Sequence, residues 1–144
     1  MAAGSIPMIP VAVPGHEQAR MPYIAPGAAR HHVQPVLTER SPLTEGRDFS
    51  VFSPRTWRLA DLGAKHALLR EGIGWCNMPL PLIAAYLAAG TLVRLDMPDH
   101  TGGTYRFSGI WRRDAPPGPA ASWLLENFVK RGASESAEID LPDL

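Results

Sequence analysis

"EGIGWCNMPLPLIAAYLAAGTLVRL", Glu71 to Leu95, decides how the rest of the chain is read. Two glycines bracket an isoleucine; a short apolar run, two prolines, a helix-like stretch ending in Ala-Ala-Gly and a second apolar run follow. Upstream, Asp61 is placed to cap a helix running to about Arg70, with Leu62, Leu68 and Leu69 inward and Lys65 and Arg70 outward. Gly72 then ends that helix as a left-handed residue, and Gly74 reads as a small residue at a close approach. Ile73 to Met78 is a short buried strand. Pro79 and Pro81 fall at the start of the next helix, where proline is tolerated. That helix buries Leu82, Ile83, Tyr86 and Leu87, stops near Gly90, and gives way to the strand "TLVRLDM".

A glycine pair before a helix invites three functional readings. A phosphate cradle needs more glycine and usually a lysine at the helix start, neither of which is here. Plain geometry (a cap, a close contact, a proline in the first turn) accounts for each residue whatever the function. An effector site adds to that geometry. Asn77, Met78 and Pro79 stand where a strand hands over to a helix N-terminus, whose amides and partial positive charge suit a carboxylate. Pro79 and Pro81 remove two of those donors.

Outward from this stretch the chain alternates. "MIPVAVP", Met8 to Pro14, reads as a strand; Pro10 lacks an N–H, which places it at an edge or in a crossover. "PGAARHH" is one helical turn, "VQPVLT" a strand, "ERSPLTEGRDF" polar and turn-rich, and "TWRLA" a strand. After "DHTGG", "TYRFSGIWRR" alternates Tyr105, Phe107, Gly109 and Trp111 on one face, a strand pattern. "APPGP" leads into a last helix, about 118–130, with Ala120, Trp123, Leu124, Asn127 and Phe128 on one side. Trp57, Trp111 and Trp123 are expected to pack in core or lobe contacts. Residues 1–7 read as a flexible lead-in and 133–144 as a disordered acidic tail. Strands alternating with short helices predict an α/β fold with a mixed, mainly parallel sheet, whose ligands sit at the strands' carboxyl ends.

Composition narrows the function. At 45% hydrophobic residues the 144-residue chain can bury a core. Fourteen basic residues balance fourteen acidic ones, which argues against DNA binding by this chain alone. A single cysteine, Cys76, excludes an internal disulfide and reads as a buried small hydrophobe. The five histidines are scattered, and His31-His32 has no acid or cysteine at metal spacing, so neither a metal nor another cofactor is expected. No apolar run reaches membrane-span length, and the proline-broken N-terminus lacks the basic start of a signal peptide; cytoplasm is the default location. No nucleophile-elbow pattern is present, and no enzyme is expected.

The run "TWRLADLGAKHALLREGIGWCNMPLPLIAAYLAAGTLVRL", followed by "YRFSGIWRRDAPPGPAASWLLENFV", resembles the C-terminal part of the effector-binding domain of LysR-type transcriptional regulators. The pattern is a helix with the pair Leu68-Leu69, then Gly72-x-Gly74, an apolar pair, Pro79, and Leu87-Ala88-Ala89-Gly90 before Leu92-Val93. "MIPVAVPGHEQAR" resembles the family's crossover strand, and "HVQPVLTERSP" its next strand and ligand loop. The likeness runs from about 8 to 132. Glu17 and Gln18 depart from it where Pro-Leu is usual, as do Cys76, Leu80 and Tyr86.

The resemblance implies a fold like the periplasmic binding proteins (type 2), with two α/β lobes and a small molecule in the cleft. Within a partial effector domain over 8–132, the second lobe spans about 14–92, and about 104–131 returns as strand and helix of an incomplete first lobe. A DNA-binding helix-turn-helix is not expected within these residues. The implied effector-binding residues are Thr38, Arg40 and Ser41 on the loop after the Val33–Leu37 strand, with Asn77, Met78 and Pro79. The hydroxyls would bond an effector and Arg40 would pair with its carboxylate. The implied partners are a small anionic effector and either a second copy of the chain or a full-length LysR regulator, with no membrane. Two other functions stand beside ligand sensing. One is a ligand-independent interaction protein that dimerises with a full-length regulator; the other is a truncated gene remnant.

Overall fold

The computed structural model describes residues 1–38, 42, 45, 46 and 49–138, with the side chains of 132–138 excepted. Its elements, in order, are β1 (Ala2–Ala12), α1 (Glu17–Arg20), a 3-10 turn (Ala28–His31), β2 (Gln34–Leu37), β3 (Thr56–Leu59), α2 (Leu62–Arg70), β4 (Cys76–Pro79), α3 (Leu80–Ala88), β5 (Val93–Arg94), β6 (Gly103–Ser108) and α4 (Pro119–Glu138). The chain forms two units, Met8–Gly103 and a smaller one made of Met1–Pro7 with the residues from Thr104 on.

In the larger unit the two glycine-terminated helices close as the sequence predicts. Asp61 accepts the Ala64 amide at 2.8 Å. At the other end of α2 the Gly72 amide donates to the Leu69 carbonyl and Ile73 to Leu68, with Gly72 at φ +83. Gly90 ends α3 with the same pair of bonds, to Leu87 and from Thr91 to Tyr86, at φ +70. Gly74 is needed twice over. Its φ is +68, and a Cβ there would lie 1.9 Å from the Val33 carbonyl oxygen. That close approach lets the Trp75 amide donate to the same oxygen at 3.0 Å, tying the lead-in of β4 to that of β2.

β4 is buried on both faces. Cys76 and Met78 point into one apolar cluster with Ile9, Val11, Leu69, Ile83 and Leu92. Trp75 points the other way, into a second cluster with Ala12, Ile24, Ala29, Leu95 and Met97. This is why the strand reads as a nearly unbroken apolar run rather than as an alternation. The described strands do not form the one mixed, mainly parallel sheet expected: β2 and β3 pair in parallel as a sheet of their own, whereas β1 runs antiparallel to both β4 and β5 in another. Antiparallel pairing takes a larger share than strand–helix alternation predicts, because β1 enters from the opposite direction. β1 is not an edge; it lies between β4 and β5, and the Pro10 carbonyl still accepts the Leu95 amide at 2.9 Å.

Four expectations need correcting. Lys65 is not outward: it is 6% exposed, and its ammonium donates to the Asn77 carbonyl at 2.8 Å. Its position on α2 faces the sheet, and a buried carbonyl within reach draws the charge inward. Residues 1–7 are not a lead-in but the first part of β1. β6 pairs with β1, and Met1 and Gly109 exchange two backbone hydrogen bonds of 2.8 and 3.1 Å. The fully buried tryptophan is Trp75, whereas Trp57, Trp111 and Trp123 are exposed. Finally, α4 continues to Glu138, into the stretch read as a tail.

In the smaller unit α4 turns Leu125 onto Gly109, where a Cβ would meet the leucine Cδ2 at 2.6 Å. Trp123 (64% exposed), Leu124 and Phe128 on α4 are exposed, as are Tyr105 and Phe107 on β6.

Candidate functional site

Asn77 breaks the apolar run of β4, and the larger unit is arranged around it. A buried carboxamide needs partners, and at 6% exposure Asn77 has two kinds. Its backbone carbonyl takes the Lys65 ammonium. Its side-chain Oδ1 meets Nε2 of His100 at 2.5 Å. Since Oδ1 only accepts, the proton of this bond lies on the imidazole Nε2.

His100 is held in turn. Its ring stacks on Phe52, with centroids 4.6 Å apart and planes 29° from parallel. Phe52 is fixed by its backbone: Gln34 Oε1 accepts the amides of Phe52 (2.8 Å) and Ser53 (3.1 Å), and Gln34 Nε2 donates to the Ser50 carbonyl at 2.8 Å. Gln34 is itself buried. Ser50, at φ +55, is the single non-glycine residue in left-handed conformation among the described residues, a strained geometry that the Gln34 bond helps to hold. Burial lowers the His100 pKa from its ordinary value, so the ring is neutral at physiological pH.

The loop carrying His100 is pinned beside the end of β4. The Gly27 amide donates to Asp99 Oδ2 at 2.5 Å. Gly102, at φ +114, lies so close to the Met8 carbonyl that a Cβ would come within 2.7 Å of the oxygen. Met8 is the β1 residue opposite Pro79. Pro79, Met8 and Gly102 thus surround one end of β4, and the Asn77–His100 pair sits one turn of pleat inside it.

The expected site residues fall in different places. Asn77, Met78 and Pro79 are consecutive on β4. The Met78 side chain is fully buried in the core and reaches no surface. Pro79 is half-buried and occupies the N-cap of α3, which has no side-chain cap. Thr38 is exposed at the end of β2, its amide donating to Leu59 at 2.7 Å. Arg40 and Ser41 lie outside the described residues. His100, Phe52, Gln34 and Lys65 escaped sequence reasoning. The one signal that pointed to them was Asn77 itself, a polar residue in an apolar run that demands a partner.

Beside the pair, Cys76 is fully buried and its thiol pKa is pushed up to about 11 by burial, with the Lys65 charge pulling the other way. Lys65 is lowered by burial and raised by Cys76. Among the described residues no group of three or more His, Cys, Asp or Glu is arranged to hold a metal ion. No helix among them is long and apolar enough to cross a membrane.

A family model described as the LysR substrate binding domain matches residues 2–133. No curated protein matches the sequence at a significant level. Among solved structures, the chain is similar to the regulatory domain of MetR, a LysR family regulator from N. meningitidis. The two are 15% identical with a TM-score of 0.62, covering 99% of this chain and 65% of that one. It is also similar to the regulatory domain of CcmR from Synechocystis in complex with 2-PG (13% identical, TM-score 0.61, 92% and 65% covered). Full-length LysG from Corynebacterium glutamicum with bound effector Arg is 20% identical, with a TM-score of 0.57 and 94% of this chain covered. The chain spans 45% of the length of LysG. These likenesses establish an α/β fold of the periplasmic-binding-protein-like kind, type 2.

Proposed function

This chain belongs to the LysR substrate-binding domain family, and from that membership we propose that it is the small-molecule effector-sensing part of a LysR-type transcriptional regulator. It acts in the cytoplasm by binding, not catalysis. The match over residues 2–133 carries this reading. The effector is a small anion that sits at the carboxyl ends of β2 and β4, as α/β folds favour. Thr38 and Ser41 offer hydroxyls, Arg40 a guanidinium for a carboxylate, and Asn77 its carboxamide beside Pro79. Met78 serves by filling the core beneath. The bound effector Arg of LysG and the 2-PG in complex with CcmR support a small-molecule ligand. Thermal unfolding of the chain with a panel of small carboxylates tests the reading. A saturable rise in Tm that Asn77→Ala and Arg40→Gln weaken is expected. Stabilisation by none of them, or stabilisation unchanged in both variants, refutes it.

A second reading rests on the exposed apolar residues of the smaller unit. Tyr105, Phe107, Trp123, Leu124 and Phe128 are all exposed large apolar residues, and such residues gathered into a patch mark interaction sites. It makes the chain a partner that joins a second copy or a full-length LysR regulator without a ligand. Sedimentation of the wild type against Trp123→Glu/Phe128→Glu distinguishes it: association lost in the variant, with no ligand-induced Tm shift in either, favours this reading.

A further inference from the structure

The larger unit carries a second concavity at the other end of β4. β4 begins at Cys76, opposite Val11, and ends at Pro79, opposite Met8. Gly72 and Gly74 precede its start, and beside them opens a cavity of about 590 Å3. Thr38, Asn77, Met78 and Pro79 are not among its lining residues. Its charged and titratable walls are His16, His31, His32 and Arg55, against one acid, Glu17.

The His16, His32 and Arg55 side chains are held in place. The His16 ring meets the His32 ring edge-on, with centroids 5.0 Å apart. His16 Nδ1 accepts the Gln18 amide at 3.2 Å, which leaves Nε2 as its proton-bearing nitrogen. Arg55 Nη1 donates to the His31 carbonyl at 3.1 Å, and the Arg55 amide donates to Ser53 Oγ at 3.1 Å. A guanidinium and three imidazoles around one space form a donor-rich wall. With no metal-holding group among the described residues, the chemistry that complements such a wall is an anion. Burial and the neighbouring His32 hold His16 below its ordinary pKa, and Glu17 opposes them. A negative charge placed beside the His16 ring favours its protonated form.

We propose that this cavity is a second ligand site, for a small oxyanion gripped by Arg55 and the imidazoles of His16, His31 and His32, whose binding takes up protons. The group recognised is a carboxylate or a tetrahedral sulfate- or phosphate-like oxyanion. The site is separate from the effector seat at the end of β4, and either stands without the other.

Calorimetric titration of the whole chain with sulfate and with oxalate, at constant ionic strength, tests it. Both anions stay fully ionised between about pH 6 and 7.5, so any proton uptake belongs to the protein. Measurement in two buffers of different ionisation enthalpy counts those protons. Affinity about tenfold tighter at the lower pH is expected, with net proton uptake. Arg55→Gln/His32→Gln is expected to weaken it at least about tenfold, whereas Leu82→Ala, an exposed position on α3 outside both sites, leaves it unchanged. Tighter oxalate assigns a carboxylate ligand, and tighter sulfate a tetrahedral one. Absence of binding at the lower pH, or binding without proton uptake by the wild type, overturns the proposal. The proton count does not depend on whether the double variant folds.

Discussion

The Lys65 ammonium donates to the Asn77 carbonyl at 2.8 Å, so a charge on α2 is spent on the backbone of β4 beneath the candidate site. A lysine at 6% exposure keeps its place because its stem packs on apolar surface while its head satisfies a buried acceptor. Lys65→Met preserves the stem and orphans the carbonyl. It is expected to cost about 1–3 kcal/mol in urea unfolding, and Lys65→Ala more, through lost packing. An unchanged urea midpoint in Lys65→Met would mean that the bond contributes nothing.

The glycines of the opening stretch divide by their reasons. Gly90 has only its backbone conformation to protect, since a Cβ there meets nothing within 4 Å. Gly90→Ala should cost about 1–2 kcal/mol. Gly74 has the same requirement and also a carbonyl oxygen 1.9 Å from where the methyl would sit. Gly74→Ala must push β4 off β2 and is expected to leave the larger unit unfolded or to lower its Tm far more than Gly90→Ala does. Equal Tm losses in the two variants would contradict the Val33 contact.

Local geometry was legible in the sequence, and long-range pairing was not. Asp61 as a cap, Gly72 and Gly90 as helix ends and Gly74 as a close contact each follow from backbone rules acting over a few residues. The Asn77–His100 bond joins residues far apart in the chain. A lone polar residue in an apolar strand announces that it needs a partner but not which one. Lys65 misled because its charge marks an outer face, while its length lets the head reach inward. Residues 1–7 misled because β6, which pairs with them, lies at the other end of the chain. The exposed Trp123 and Phe128 show the reverse case: aromatic spacing marks an apolar face without saying what covers it.

Cys76 sets the alkaline behaviour. Its thiol has a pKa of about 11 against an ordinary 9.0. Between those values the unfolded chain loses the proton and the folded chain keeps it, so stability falls as pH rises through this window. Lys65, lowered by burial, acts in the opposite sense: its unfolded state holds the proton longer, and stability rises with pH there. Cys76→Ala removes the first effect and also the upward pull of Cys76 on Lys65. The stability advantage of the wild type over Cys76→Ala, set at neutral pH by the constant cost of the cavity, should therefore shrink steadily from about pH 9 to 11. In the native state the thiol should resist alkylation. Rapid labelling without denaturant would show that Cys76 is not buried.

The acid side belongs to His100. Its folded pKa is depressed by burial, so as pH falls below the ordinary 6.5 the unfolded chain takes up a proton that the folded chain refuses, and stability declines. The Oδ1 of Asn77, 2.5 Å away, accepts a hydrogen bond from the ring N–H but carries no charge to stabilise an imidazolium. Asn77→Asp supplies that charge at the same position. The carboxylate favours the imidazolium, so the His100 pKa should move above its ordinary value. Folding then gains from protonation: the contribution is present below the ordinary pKa and lost as pH rises through the raised one. NMR titration of the His100 ring in both proteins reads the shift directly, and urea unfolding at about pH 5.5 and 7.5 reads its sign. A His100 pKa unmoved by Asn77→Asp would mean that the two side chains do not meet, and the candidate site would lose the contact around which it is built.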